Sequence, residues 1–374
     1  MKSLASSKKY RIMLVAGARP NFMKIAPVLN ELKKYPALFD PVFVHTGQHY
    51  DDRMSRVFLE ELALPLPDVD LGVGSGTHAV QTSRVMTAFE KTVLKRKPEL
   101  VLVVGDVNST LACALVAAKL HIPVAHVEAG LRSNDRSMPE EINRILTDQI
   151  SDILFTTCRD GDMNLKKEGI PPDKIHLVGN TMIQSLLQVQ PGLEKRSIHR
   201  DLNVTKKEYI LVTLHRPSNV DHEATFRSIL GALRHLQTRA TILFPAHPRT
   251  QKQIHAFGFG SQVENNGRFR ILDALGYMDF LALQKYAGLV LTDSGGVQEE
   301  TTFFGVPCLT LRENTERPVT ITQGTNILVG TDPAAIIRES ERVLDGRMKK
   351  GSIPRYWDDR VAGRMADVLI RFFS

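Results

Sequence analysis

Short apolar runs alternate with amphipathic segments along most of the chain. The runs of the first half are rich in β-branched residues and show little polar alternation; they occupy 11–17, 41–45, 100–105, 122–127 and 152–157. Such runs are typical of strands buried on both faces of a parallel sheet. Helical periodicity fills the intervals, most clearly over 79–97, 110–120 and 140–150. This alternation predicts a doubly wound α/β sheet.

The alternation breaks at about 188–205, a segment rich in proline, glycine and charge, and then restarts. The predicted strands beyond it are 209–214, 241–246, 288–293 and 307–311, and the clearest helices are 223–236 and 279–286. Two similar halves joined by a linker predict two Rossmann-like, doubly wound parallel-sheet domains that face a central cleft. We expect the first over 1–187 and the second over 188–358. A last helix over 359–374 is left either separate or packed back on the first domain.

The composition supports two domains and limits the classes of binding partner that are expected. A chain of 374 residues with 43% hydrophobic content can bury two cores. The net charge of +7 comes from basic residues interspersed with acids. An anionic metabolite as ligand is therefore enough to account for the positive charge, and neither nucleic acid nor a membrane is expected as a partner. The chain start lacks an apolar signal core and no apolar stretch approaches membrane-spanning length, which predicts a cytoplasmic protein.

The three cysteines are Cys113, Cys158 and Cys308, and their spacing is not that of a metal site. They lie in apolar or strand-like contexts, which favours reduced packing residues over disulfides. Neither a metal nor a cofactor is predicted.

Polar residues follow the predicted strands of the first half, at the edge where parallel sheets bind ligands. Arg19 and Lys24 come after the first strand and could bind phosphate beside a helix N-terminus, or could be solvated cations of a turn. Asp106 follows the third run and is either a helix cap or a carboxylate presented to the cleft. Glu128 and Glu140 could likewise stabilise local structure. Three carboxylates near cations are nevertheless what acid/base chemistry on carbon requires.

The second half carries histidines and a glycine-rich turn at corresponding places. His215 and His247 each follow a predicted strand, although a lone histidine is more often structural. After the strand at 288–293, the sequence Ser-Gly-Gly opens a helix, and its amides together with the Ser294 hydroxyl form an anion cradle suited to diphosphate. Glu300, one turn further along, can accept both hydroxyls of a ribose.

These residues fall within motifs that resemble, in the same order, those of the non-hydrolysing UDP-N-acetylglucosamine 2-epimerases. The motifs are GARPNFMKIAPV, TGQHYDDRMS, VVGDVNSTLA, HVEAGLRS, PEEINR, LHRPSNVD, LTDSGGVQEE and ENTERPVT. They extend from Gly17 to about residue 326, so the resemblance covers nearly the whole chain. It implies the two-domain GT-B-like architecture shared with one large class of glycosyltransferases.

The resemblance also implies roles for individual residues. The UDP part would be bound by Arg19, Lys24, Phe280, Ser294, Gly295, Gly296, Glu300 and Arg317, with Phe280 against the uracil. Catalysis would fall to Asp106, Glu128, Glu140 and His215. Family members interconvert UDP-GlcNAc and UDP-ManNAc through 2-acetamidoglucal, without a cofactor, for polysaccharide biosynthesis, and they are commonly homodimers. The alternatives are an epimerase for a UDP-diacetamido-uronic acid, a UDP-sugar glycosyltransferase of the same fold, and a catalytically silent UDP-sugar sensor.

The chain departs from the family at several positions. Asn21 stands where a glutamate is frequent, and Leu275 where a glutamine lies near the uracil. A second UDP-sugar site in some members corresponds to Gln48, His49 and His247. Asp51 replaces a further glutamine of that site, which predicts weak or absent activation by UDP-GlcNAc.

Overall fold

The computed structural model describes residues 9–47, 61–62, 64–259 and 267–374. The chain forms two compact units. The first ends at Gln188 and also includes Arg355–Ser374, whereas the second spans Val189–Pro354. Each unit is built around its own parallel sheet.

The described part of the first unit contains a seven-stranded sheet with the order β3-β2-β1-β4-β5-β6-β7, in which every pair is parallel. Its strands are β1 Tyr10–Ala16, β2 Phe39–His45, β3 Val69–Asp70, β4 Leu100–Val104, β5 Val124–Ala129, β6 Ile153–Thr156 and β7 Ile175–Leu177. The five strands predicted here are confirmed to within two residues at each end. The short β3 and β7 lie at the sheet edges and carry few buried apolar residues, so their sequences give little strand signal.

Helices connect these strands in alternation, as predicted. They are α1 Arg19–Leu32, α2 His78–Arg96, α3 Asn108–Lys119, α4 Pro139–Gln149, α5 Arg159–Lys167 and α6 Thr181–Leu193. In α2 the Thr77 side chain caps the first turn, and the buried Val85, Phe89 and Val93 recur every four residues along one face. That spacing places all three on the stripe that packs into the core. α6 runs through Pro191, although the proline and the following glycine predicted a break.

The second unit repeats the pattern with a six-stranded parallel sheet of order β10-β9-β8-β11-β12-β13. Its strands are β8 Tyr209–Thr213, β9 Thr241–Pro245, β10 Phe269–Leu272, β11 Leu289–Thr292, β12 Cys308–Thr310 and β13 Asn326–Leu328. Its helices are α7 Ile198–Asp201, α8 Pro217–Val220, α9 Glu223–Leu236, α10 Pro248–Ala256, α11 Tyr277–Lys285, α12 Gly295–Phe304, α13 Pro318–Thr322 and α14 Pro333–Leu344. The four strands predicted in this half are confirmed.

Both sheets therefore have the doubly wound strand order, in which the chain first builds to one side and then to the other. The direction reverses between β1 and β4 in the first sheet and between β8 and β11 in the second. Loops that follow these neighbouring strands separate at the carboxyl edge and leave a crevice where ligands bind. The fold thus marks the loops after β1 and β4, and those after β8 and β11, as candidate sites.

The last helix, α15 Val361–Phe373, belongs to the first unit. The Phe373 ring stacks on Tyr10 of β1 with 4.1 Å between ring centroids, and the Tyr10 hydroxyl donates to the Phe373 carbonyl at 3.1 Å. No helix in the described ranges is both long and apolar enough to cross a membrane. The three cysteines are free and buried, as expected for packing residues.

Candidate active site

The loop after β1 is held by its own asparagine. The Asn21 side-chain oxygen accepts hydrogen bonds from the backbone amides of Gly17 and Ala18, both at 3.0 Å. Arg19 is the first residue of α1. Lys24, one turn further along, is 5% exposed, and its ammonium group forms an ion pair with Glu128. Asn21 therefore has a structural function here, in shaping the turn.

Glu128 lies at an irregular point of β5. Its φ of +75° is in the left-handed region that non-glycine residues rarely adopt, and the pairing of β5 with β6 shifts register between Val127 and Ala129. The side chain is 5% exposed and meets Lys24 beside Gly105. A Cβ on Gly105 would lie 2.9 Å from the Lys24 Nζ and 3.4 Å from the Glu128 Oε2. Only glycine at 105 leaves room for this buried ion pair.

Asp106, the next residue, is held by α4. Its Oδ2 accepts from the Arg144 guanidinium, at 3.0 Å from Nε and 2.6 Å from NH2, and its carbonyl accepts from the Asn143 side chain at 2.9 Å. The N-cap of α3 is Val107, without a side-chain cap bond, so Asp106 is not a helix cap. Its carboxylate is a quarter exposed and available to a ligand.

The two glutamates that open α4 are in different environments. Glu141 is buried and accepts from the amides of Ser133 and Asn134, at 3.0 and 2.8 Å, and from Arg144 at 2.5 Å. It therefore fixes the loop that precedes the helix. Glu140 is half-buried, and the described residues provide it with no hydrogen bond or ion pair. Since Arg144 joins α4 to Asp106, the structure brings Asp106 and the first turn of α4 together.

In the second unit, His215 is paired with a buried carboxylate. The Nδ1 of His215, which follows β8, lies 3.0 Å from Oδ1 of Asp293, which follows β11. Asp293 also accepts from the amides of His215 and Arg216, at 3.0 and 2.9 Å, and from Asn219 at 3.1 Å. Burial alone would raise the pKa of Asp293. His215 and these amides have the larger combined effect, so the pKa is lowered overall. The ionised carboxylate thus holds the Nδ1 proton and leaves Nε2 for a ligand.

The role of Asp293 was not predicted. The signal that could have found it is the strand order, because β8 and β11 are neighbours and the residues after them must lie side by side.

The N-terminus of α12 is an open anion site. The N-cap residue is Ser294, and the described structure shows neither a side-chain cap bond nor an acid in the first turn of this helix. The amides of Gly295 and Gly296 follow. A Cβ on Gly295 would lie 2.8 Å from the Arg317 Cζ and 2.8 Å from the Glu316 Oε1. Glycine at 295 thus allows the Arg317 guanidinium to approach the helix end.

Arg317 belongs to a buried cluster of charges. Its Nε lies 3.0 Å from Glu299, and its NH1 lies 2.5 Å from Glu316. Glu316 also pairs with Arg312 at 2.8 Å and lies 3.6 Å from Arg216. Three guanidinium groups thus face two carboxylates, and the net positive charge lies beside the amides of α12. This combination suits a diphosphate.

Glu300 is a buried carboxyl group facing α11. Burial raises its pKa to about 8, although the neighbouring Gln284 and Tyr277 side chains oppose this increase, and the charge of Glu299 adds to it. The Tyr277 hydroxyl lies 3.3 Å from its Oε1. Phe280, half-buried, lies one turn further along α11. A flat aromatic ring and a nearby hydrogen-bonding carboxyl group suit a base and its ribose.

The residues predicted for a second site are only partly described. Gln48 and His49 lie outside the described residues. The His247 ring accepts from the Arg249 amide at 3.2 Å as the N-cap of α10, and its centroid lies 6.4 Å from that of His215. A second UDP-sugar site remains a prediction.

The two sheets define the chain as an α/β protein with two doubly wound units. A family model described as UDP-N-acetylglucosamine 2-epimerase matches residues 30–370. The chain belongs to this family, which confirms the family and fold predicted from the motifs.

Individual relatives agree over almost the full length. A UDP-N-acetylglucosamine 2-epimerase of Methanococcus maripaludis is 43% identical over 357 residues, with 94% of each chain covered. A UDP-2,3-diacetamido-2,3-dideoxy-D-glucuronate 2-epimerase of Pseudomonas aeruginosa is 42% identical, covering 96% of this chain and 99% of its own. The crystal structure of the Methanocaldococcus jannaschii UDP-GlcNAc 2-epimerase in complex with UDP-GlcNAc and UDP is similar with a TM-score of 0.89 and 42% identity, covering 96% of this chain and 99% of its own.

Proposed function

We propose that the protein is a non-hydrolysing epimerase that interconverts UDP-GlcNAc and UDP-ManNAc. The observation that carries this proposal is the convergence of two carboxylates, Asp106 and Glu128, at Gly105, each paired with a basic side chain. Acid/base groups held in this way can take a proton from carbon and return it. The family relationship supplies the substrate class.

The chemistry follows from the sugar. The proton on carbon 2 is barely acidic, because the acetamido group is attached through nitrogen. Breaking the bond from carbon 1 to UDP creates an oxocarbenium-like centre beside it, and the proton then becomes removable. Elimination gives 2-acetamidoglucal and UDP, and re-addition with protonation of the opposite face inverts carbon 2.

The second unit supplies the groups for the UDP part. The helix end at Ser294, Gly295 and Gly296 and the guanidinium of Arg317 bind the diphosphate as its charge develops. Glu300 forms hydrogen bonds with the ribose hydroxyls, and Phe280 lies against the uracil. Arg19 and Lys24 of the first unit add positive charge for phosphate.

His215 stabilises the departing diphosphate. Asp293 keeps a proton on its Nδ1, so a second proton on Nε2 makes the ring a charged donor. The same pair keeps the ring orientation fixed when the nucleotide leaves.

The first unit carries the proton transfers at carbon 2. Asp106, Glu128 and Glu140 are the acid/base groups in this proposal. Glu140 makes no contact with another charged group of the described chain, whereas Asp106 and Glu128 are paired with Arg144 and Lys24.

A second candidate substrate is a UDP-2,3-diacetamido-glucuronate. The observation that favours it is the Pseudomonas aeruginosa relative, which is nearly as similar as the UDP-GlcNAc enzymes. Elimination and re-addition would be the same for both sugars. A glycosyltransferase of the same fold would share the diphosphate and ribose contacts but has no need for three carboxylates.

Incubation with each nucleotide sugar, followed by NMR of the products, tests the proposal. We expect UDP-GlcNAc alone to give a mixture with UDP-ManNAc. Conversion of the diacetamido-uronic acid nucleotide only would assign the second candidate, and unchanged substrates in both reactions would overturn the epimerase assignment.

As further parts of the proposal, the enzyme acts as a homodimer in the cytoplasm, where its three buried thiols remain reduced.

A further inference from the structure

A fully buried histidine lies behind the loop that carries Asp106. His126 belongs to β5 and has no exposed surface. Its Nε2 lies 2.8 Å from the Gly105 carbonyl oxygen, and its Nδ1 lies 2.6 Å from the Asp148 Oδ1 on α4. The ring therefore joins the loop after β4 to the last turn of α4.

Both ring nitrogens of His126 face acceptors. A backbone carbonyl can only accept, so Nε2 must carry a proton. Asp148 also accepts from the Gly130 amide at 3.1 Å and forms an ion pair with Arg132 at 2.7 Å. Burial raises the pKa of Asp148, but His126 and Arg132 outweigh it and the pKa is lowered. The carboxylate is therefore an acceptor, so each ring nitrogen of His126 faces an acceptor and is placed to donate to it.

Asp148 lies between two partners. Its carboxylate contacts the His126 ring and the Arg132 guanidinium, and Arg132 also pairs with Glu168 at 2.6 Å. A buried charge is tolerated when it is paired and hydrogen-bonded, whereas removing one partner is costly. His126 and Asp148 are therefore an obligate pair.

The position of this pair determines what it can do. Gly105 has a φ of +68°, and its amide donates to the Val127 carbonyl at 3.1 Å. Its own carbonyl is bound by His126, and the peptide that contains this carbonyl connects Gly105 to Asp106. Rotation of that peptide would move the Asp106 carboxylate, since the peptide plane fixes the direction of the following residue.

We propose that His126 is an imidazolium and that it and Asp148 are positioning residues, a buried charged pair that fixes the Gly105–Asp106 peptide and so orients the Asp106 carboxylate. The effect on turnover rests on the proposed function, in which Asp106 transfers a proton. The charge of His126 does not rest on it, so the two can be tested separately.

The charge is tested by ¹⁵N NMR of histidine-labelled protein at pH 7, with the His126 signals assigned by their loss in His126→Gln. We expect two ring N–H signals from His126, both protected from exchange, because both protons lie in buried hydrogen bonds. A single ring N–H, with the other nitrogen at the chemical shift of an unprotonated one, would overturn the imidazolium.

The positioning role is tested with Asp148→Asn. This nearly isosteric change removes the charge that keeps His126 doubly protonated. A ring with one proton can place it on Nδ1 instead of Nε2, so the bond to Gly105 is weakened. Misplacement of a catalytic group by about 1 Å costs on the order of 100-fold in rate, so we expect kcat to fall about 10- to 100-fold. UDP affinity should stay within about twofold, because the nucleotide groups are elsewhere.

Asp152→Asn is the matched control. Asp152 accepts from the Val124 amide at 3.1 Å, at the other end of β5, and pairs with Lys174 at 3.4 Å on the surface. The same chemical change there should lower stability slightly and leave kcat unchanged.

If Asp148→Asn folds and keeps the wild-type kcat, the pair does not position Asp106. Should it not fold, His126→Phe, which keeps a ring of similar size but removes the donor to Gly105, replaces it in the same comparison. A wild-type protein that converts neither nucleotide sugar would instead refute the proposed function, while the NMR result still decides the charge.

Discussion

Asp293 Oδ1 lies 3.0 Å from His215 Nδ1, and the two residues follow neighbouring strands of the second sheet. The carboxylate is fully buried, whereas the imidazole is partly exposed. The pair therefore connects a rigid interior acceptor with a ring that can reach a ligand. An imidazole held in this way is a directed donor at Nε2.

Asp293→Asn should impair catalysis more than binding. The amide cannot stabilise a charged imidazole, so donation to the departing diphosphate weakens and kcat should fall about 100-fold. Stability should also fall by about 1–3 kcal/mol, because buried amides lose a charged acceptor. Steady-state kinetics and thermal melts measure both effects. Asp221→Asn is the control, since Asp221 pairs with Arg249 in a more exposed position of the same unit and should change neither. A fully active Asp293→Asn would show that His215 needs no orienting carboxylate.

Glu128→Gln and Glu140→Gln should both abolish most epimerisation but should differ in stability. Loss of an acid or base costs roughly 100- to 10,000-fold in rate. Glu128→Gln also leaves Lys24 buried without its charged partner, which should cost about 3–5 kcal/mol. Glu140 has no such partner in the described chain, so its variant should melt like the wild type. Equal melting temperatures for the two variants would contradict the ion pair. Retained activity in both variants would show that these glutamates have structural rather than catalytic roles.

Gly295→Ala should weaken UDP binding. The added methyl group meets the Arg317 guanidinium and the Glu316 carboxylate, so the charged cluster beside α12 must move. We expect UDP affinity, measured by titration calorimetry, to fall by at least about tenfold, which corresponds to about 1.4 kcal/mol. Gly231→Ala is the control, since that glycine lies within α9 and its methyl group would meet open space. There the change should stabilise the helix by up to about 1 kcal/mol and leave UDP binding unchanged. Tight UDP binding by Gly295→Ala would contradict the site.

Glu300 should make stability depend on pH. Its pKa is about 8 in the folded protein because of burial, against 4.5 for an ordinary glutamate. Between these values the folded protein holds a proton that the unfolded chain has released, so stability falls as pH rises from about 5 to 8. Glu300→Gln removes this pH dependence. The free energy of unfolding of the variant, relative to that of the wild type, should therefore rise by roughly 3–5 kcal/mol from pH 5 to pH 8. Denaturant unfolding at pH 5 and pH 8 measures the difference, and a pH-independent difference would contradict the raised pKa.

Periodicity predicted the fold because the central strands are buried on both faces. β4 and β8 are nearly continuous apolar runs, and such runs have few other interpretations in an alternating pattern. The helix through Pro191 was not predicted. The local sequence favours a break at Pro191. Where a helix ends is decided by its packing against the rest of the protein, and the local sequence carries no information about that packing.

The candidate site was predicted by residue type but not by pairing. The sequence cannot distinguish Glu140 from Glu141, because both open the same helix, and only the structure shows that Glu141 binds the preceding loop. The close approach of Arg317 and Glu316 to Gly295 was not predicted. Such contacts join residues far apart in the chain, and local patterns carry no information on them.

The central claim is that carbon 2 of the sugar loses its proton to an enzyme carboxylate after UDP departs. Turnover of UDP-GlcNAc in heavy water, with ¹⁸O in the oxygen that bridges carbon 1 and phosphorus, tests both parts at once. If Asp106, Glu128 and Glu140 exchange protons with solvent between turnovers, UDP-ManNAc should carry deuterium at carbon 2. The label should also scramble into non-bridging positions of the diphosphate. Recovery of UDP-GlcNAc that is fully protonated at carbon 2 and unscrambled, from folded protein that binds UDP, would contradict the account.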